Sequence, residues 1–151
     1  MYLLDTNVVS ELHKAVRHKG DPVATIWLAQ VDLTACQMAA ITLMELEIGV
    51  LRMERRDVRQ GEVLRHWLET FVVPNFADRI LPFDSAVARQ CARLHVPDRC
   101  PERDAQIAAT ALVHGLTVVT RNVADFATTG VKLLNPWLPS LLQEPTATYR
   151  R

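Results

Sequence analysis

Four carboxylates stand far apart along 151 residues: Asp5, Glu45, Asp104 and Asp125. Each lies where an element of chain begins or ends. Asp5 closes the apolar run Tyr2-Leu3-Leu4, and Glu45 falls early in Thr-Leu-Met-Glu-Leu-Glu-Ile-Gly-Val. Asp104 opens Asp-Ala-Gln-Ile-Ala-Ala-Thr-Ala-Leu, and Asp125 follows Thr-Val-Val-Thr. If the fold gathers these ends, the product is a cluster of oxygen ligands, which calls for a hard divalent cation. Each acid also has a plain local role. Asp5, Thr6 and Asn7 are three capping residues in a row. Thr42 and Glu45 form a capping-box signature. Asp104 suits the positive end of a helix, as Glu102 would. Asp125 sits in the loop Asn122–Phe126, where turn chemistry suffices. Glu47 faces another side of its helix, because positions two apart diverge.

The elements that must position these groups alternate. Tyr2–Leu4 reads as a short strand buried on both faces. Val8–Leu12 predicts one or two helical turns, and residues 13–22, with Gly20 and Pro22, a loop. Helical patterns follow over Val23–Gln30, Thr42–Met53 and Asp57–Val72, the last ended by Pro74. Leu33–Ala39 and Arg79–Phe83 read as strands. A helix follows from Ser85 to His95, then a loop over Val96–Pro101. Pro101 suits the first position of the next helix, which Gly115 stops after His114. Leu116–Thr120 and Val131–Leu134 are the last strands. Strands alternating with helices imply crossover connections and a parallel sheet covered on both faces, with ligands at the carboxyl ends of the strands. The pattern places one domain over 1–138 and a mobile C-terminal tail over 139–151.

Hydrophobic residues make up 49% of the chain, enough for one domain with a real core. Acidic and basic residues balance at 17 each, which argues against a broad basic surface for duplex nucleic acid. Of the 17 basic residues only Lys14, Lys19 and Lys132 are lysines; the rest are arginines, the better forks for phosphate. Cys36, Cys91 and Cys100 form no ligand or disulfide spacing and fit a reducing cytoplasm. No signal peptide and no span of ~20 apolar residues is visible, so no membrane partner is expected. Arg52, Arg55, Arg56 and Arg59 read as a solvated face paired with Glu54 and Asp57. Arg121, beside the acids, is the better phosphate ligand. Arg103 has two open roles, pairing with a carboxylate or reaching a phosphate.

These blocks resemble a PIN-domain ribonuclease of the VapC/FitB-like toxin type. The likeness is carried by Leu-Leu-Asp-Thr-Asn-Val-Val-Ser-Glu-Leu at 3–12, Ile-Thr-Leu-Met-Glu-Leu-Glu-Ile-Gly-Val at 41–50, Asp-Ala-Gln-Ile-Ala-Ala-Thr-Ala at 104–111, Thr-Val-Val-Thr-Arg-Asn-Val-Ala-Asp-Phe at 117–126 and Leu-Leu-Asn-Pro-Trp at 133–137. The resemblance implies a three-layer αβα sandwich around a small parallel sheet, with Mg²⁺ or Mn²⁺ held by Asp5, Glu45 and Asp104. The fourth position is Asp125, with Asn122 as an alternative partner. Thr6, Asn7 and Thr120 then orient the acids. It further implies an endoribonuclease toxin silenced by a cognate antitoxin, a homodimer, and contact with operator DNA only through the antitoxin. Three rival readings differ in chemistry. One is an antitoxin-binding module of a DNA-bound regulatory complex with little nuclease activity. Another is a nuclease acting on DNA. The third, a phosphatase with Asp5 as nucleophile, is disfavoured because Asn7 stands where its second aspartate belongs.

Overall fold

The computed structural model describes residues 1–139. Five short strands build one sheet: β1 (Tyr2–Leu4), β2 (Cys36–Ala39), β3 (Ile80–Leu81), β4 (Thr117–Val119) and β5 (Leu133–Leu134). Their order is β3-β2-β1-β4-β5, and every neighbouring pair is parallel. Tyr2 stands opposite Cys36 on one side and Thr117 on the other. The chain winds outward from β1 through β2 to β3, then crosses back to lay β4 against the free side of β1. Adjacent carboxyl ends of β1 and β4 therefore flank the point where the winding reverses, which is where crevices open in such sheets.

Alternation along the strands separates two cores. Leu4, Cys36, Met38 and Val119 face one side. There they meet α1 (Thr6–Val16), α2 (Pro22–Gln30), α3 (Ala40–Arg56), and Leu68, Val72 and Phe76. Leu3, Ala39 and Val118 face the other side, against Ile107, Ala108 and Ala111 of α7 (Glu102–His114). On the outer side of α7, Val87 and Cys91 of α6 (Ser85–Leu94) meet Ala105 and Ala109. These are the three layers that the alternating pattern calls for.

Several boundaries differ from the sequence reading. The first helix runs to Val16, a turn into the expected loop, and on that added turn His13 packs its ring 4.9 Å from that of Trp67. Residues Leu33–Ala35 form a 3-10 turn before β2 instead of a strand, with Asp32 accepting from the Thr34 N–H at 2.9 Å. Thr42 does not cap a helix: α3 starts at Ala40, directly out of β2, and Ala39 makes no side-chain cap. Thr42 is instead buried, its hydroxyl unpartnered among the described residues. Pro101 is the N-cap of α7, one position before the expected first turn.

The helix expected over Asp57–Val72 is split. After α4 (Val58–Trp67) the chain makes a π turn over Leu68–Val72 and continues as α5 (Val73–Phe76). Pro74 therefore does not end it. The wider turn takes the missing N–H and the ring without an interior clash. Asn75 Nδ2 supplies a donor to the Phe71 carbonyl at 2.7 Å, and Phe76 reaches full burial. The expected tail, 139–151, lies outside the described residues except for Pro139. Among those residues no helix is long and apolar enough to cross a membrane.

Candidate active site

Asp5 is the first residue past β1 and the N-cap of α1. Its side chain is almost wholly buried, at 6% exposure, and three donors fix it. Oδ1 accepts from the Thr6 N–H at 2.7 Å. Oδ2 accepts from the Thr120 hydroxyl at 2.8 Å and from Asn7 Nδ2 at 3.4 Å. Thr120 is the first residue past β4, so this bond ties the two ends of the winding together. Its oxygen also accepts from the Asn122 N–H at 3.0 Å, and Asn7 Oδ1 accepts from the Arg121 N–H at 3.2 Å. The capping role and the site role of Asp5 thus coexist on different lone pairs.

Glu45 reaches the same place from α3. With α3 starting at Ala40, Glu45 is free of capping duty, and its Oε1 accepts from the Thr6 hydroxyl at 3.0 Å. Its other oxygen lies 3.6 Å from Arg103 Nη1, which decides the open question about Arg103 in favour of a carboxylate partner. Glu47 points elsewhere, as expected, onto Arg65 at 2.7 Å. Arg65 also pairs with Glu54 at 2.9 Å and Glu69 at 3.3 Å, so Glu54 serves Arg65 rather than the arginines at 52–59. Asp104 enters from the first turn of α7, and Asp125 from the 3-10 turn Val123–Phe126.

The electrostatics show that these acids feel one another. Burial pushes the Asp5 carboxyl above its ordinary value; hydrogen bonds from Thr120 and Thr6 pull it back, and the charge of Asp125 pushes it up again. The Asp104 carboxyl is pushed up to about 6, by burial first and then by the negative charges of Asp5, Asp125 and Glu45. Four acids from four parts of the chain therefore share one neighbourhood. The donors are all oxygens, the chemistry that hard divalent cations take. Among the described residues no three His, Cys, Asp or Glu side chains stand close enough together to hold a metal ion as they are placed.

A pH dependence follows from these shifts. A carboxyl that holds its proton more tightly in the folded chain contributes stability below its ordinary value of 3.8, and that contribution is lost as pH rises through the folded value, about 6 for Asp104. The metal-free protein will therefore melt at falling temperature as pH is raised from 5 to 7. Asp104→Asn will flatten that slope, and a variant whose midpoint keeps the parent's pH profile refutes the sign argued here.

The comparisons agree with this geometry. The PIN domain family matches residues 2–131. The VapC ribonuclease Y4jK of Sinorhizobium fredii is 36% identical over 148 residues, covering 93% of this chain and all of that protein. The crystal structure of FitAcB from Neisseria gonorrhoeae superposes with a TM-score of 0.82 at 37% identity, over 91% of this chain and 99% of that one. A toxin-antitoxin complex from Klebsiella pneumoniae follows at a TM-score of 0.64 and 26% identity, over 90% and 98% of the two chains. With its parallel sheet, its two helical layers and its acids at the switch point, this chain belongs to the PIN domain family.

Proposed function

We propose that this chain is the toxin of a toxin–antitoxin pair, an endoribonuclease that hydrolyses RNA phosphodiester bonds with Mg²⁺ or Mn²⁺. The observation that carries the reading is the convergence of Asp5, Glu45, Asp104 and Asp125 from four parts of the chain, with the Asp104 carboxyl pushed up by burial first and then by the charges of the other three. Acids held together at such a cost suit a bound cation better than a structural role. The names of relatives, a VapC ribonuclease and a toxin-antitoxin complex, support the same reading.

When bound, a divalent cation supplies charge neutralisation on the phosphoryl oxygens and lowers the pKa of a water. Asp5 and Asp104 are the residues to hold it, with Asp125 contributing to a second or weaker position and Asn122 beside it. Thr6, Asn7 and Thr120 hold the Asp5 carboxylate in one orientation and leave one lone pair, on Oδ1, for a cation. Glu45, steadied by Thr6, orients the attacking water and accepts its proton. Arg103, 3.6 Å from its other oxygen, steadies Glu45 from the α7 side. Arg121 binds substrate phosphate.

The antitoxin is the partner that silences this site, and operator DNA is reached only through it. The free toxin forms a homodimer through helical faces. Single-stranded or looped RNA is the substrate class, since its backbone can be laid into a shallow cleft.

Purified protein will cut single-stranded RNA oligonucleotides with Mg²⁺ or Mn²⁺, leave DNA of matched sequence intact, and stop on addition of a chelator. Cleavage of DNA at an equal rate moves the substrate assignment. Absence of any metal-dependent cleavage leaves the antitoxin-binding module as the better account. Sequencing of cleaved ends after brief expression will name the RNA.

A further inference from the structure

The Asn135-Pro136-Trp137 block has no part in the chemistry above, yet it reaches the site through one residue. We infer that Trp137 is a positioning residue for Arg121, and that the pair forms a rim subsite for a phosphate of single-stranded RNA next to the one that is cut. The inference rests on the ribonuclease reading of the acidic cluster and names a group that serves it.

Arg121 is pinned on both sides of its peptide. Its N–H donates to Asn7 Oδ1 at 3.2 Å, and its carbonyl accepts from Asn135 Nδ2 at 3.4 Å. Asn135 Oδ1 accepts from the Trp137 N–H at 2.9 Å, closing a turn around the buried Pro136. That turn aims the indole, which is half-buried against the larger core, at the Arg121 guanidinium. The guanidinium carbon lies 5.4 Å from the ring centroid, within the reach of a cation–π contact.

The placement of charge makes this more than packing. Of the two arginines beside the acids, Arg103 has Glu45 at 3.6 Å, while among the described residues Arg121 has no carboxylate within 4.0 Å. A stacked guanidinium offers one face to the ring and keeps its N–H edge for an oxyanion fork. Holding the side chain on the ring before substrate arrives lowers the entropy cost of binding. Arg121 directly follows Thr120, which bonds Asp5, but Arg121 is exposed while Asp5 is buried. An exposed cation is thus anchored one residue from the hydroxyl that holds the buried acid, and a phosphate next to the one that is cut is its ligand.

Fluorescence anisotropy with a labelled single-stranded RNA, in chelator to prevent cleavage, tests the pair. Arg121→Gln will weaken binding about tenfold. It will also shallow the slope of log affinity against log salt by about 0.7, the value for one phosphate on a single strand. Trp137→Leu will reproduce most of both effects, Trp137→Phe will recover most of the loss, and the double variant will bind no more weakly than Arg121→Gln alone. With Mg²⁺ present the loss will fall on KM rather than kcat. Losses that add in the double variant, or a Trp137→Leu protein with the parent's affinity and salt slope, overturn the positioning role. Arg121→Gln is exposed and does not depend on the core, so if it binds RNA like the parent the subsite fails even where Trp137→Leu does not fold. A parent that cuts RNA but ignores both substitutions overturns this inference alone. A parent that neither binds nor cuts RNA overturns the ribonuclease reading with it.

Discussion

Asp5→Asn will abolish RNA cleavage while its melting temperature stays within a few degrees of the parent's. The substitution keeps shape and removes charge. Asn Oδ1 can still accept from the Thr6 N–H, so the start of α1 is held. The amide that replaces Oδ2 meets the Thr120 hydroxyl, which can turn from donor to acceptor. The contact with Asn7 Nδ2 is lost, but so is part of the repulsion on Asp104. The two changes oppose each other, and neither exposes core. Activity has no such compensation. Removing groups that only orient a metal ligand already costs about 10–100-fold. Removing the charge of the ligand itself will cost at least about a hundredfold. Timed cleavage of an RNA oligonucleotide with Mg²⁺, beside thermal melts by circular dichroism, measures both halves. A folded Asp5→Asn protein that cuts at the parent's rate would falsify the assignment.

The second large effect is on stability, far from the acids. Gly61→Ala in the middle of α4 would ordinarily gain about 0.5–1 kcal/mol from better helix propensity. Here the new Cβ would lie 2.5 Å from Glu54 Cα and 2.9 Å from Glu54 N, backbone atoms of α3 that cannot swing aside. Gly61 is buried at this crossing, and one turn later Arg65 joins Glu47 and Glu54 of α3. Forcing the helices apart costs about 1–3 kcal/mol of overpacking and loosens that ion cluster, so the clash outweighs the propensity gain. A net loss of about 1–2 kcal/mol lowers the melting temperature of a chain this long by about 2–8 °C. Cleavage per folded molecule will persist, because the Asp5 bonds lie elsewhere. An alanine variant that melts at or above the parent refutes the close-contact argument.

The sequence made some of this plain and hid the rest for physical reasons. Tyr2–Leu4, α7 with its stop at Gly115 (φ 66°), and the alternation that demands a parallel sheet are local signals, and the structure has them. The four acids were legible as ends of elements, which is where a parallel sheet gathers its ligands. Strand order was not legible, because nothing local says that β4 returns beside β1. Thr42 and Glu45 matched a capping box on spacing alone; the direct passage from β2 into α3 moved the helix start by two residues and released Glu45 to Thr6. Pro74 carried the ordinary meaning of a helix end, and only the π turn before it overrides that meaning. Arg103 could not be assigned because its partner lies on α3, nearly sixty residues away in sequence. The link from Trp137 to Arg121 was hidden likewise, since it is made by a turn beyond β5 and not by spacing.

The reversal of winding between β1 and β4 has a consequence for the birth of the molecule. Asp5 is made early relative to its partners: the hydroxyl that orients it belongs to Thr120, 115 positions later. A nascent chain that ends before Thr117 lacks the strand that pairs with the open side of β1, and Asp125 with it. An abandoned or truncated translation product of that length cannot hold the assembled cleft. The cleft is therefore assembled only once Thr120 and Asp125 have been made, more than a hundred residues after Asp5.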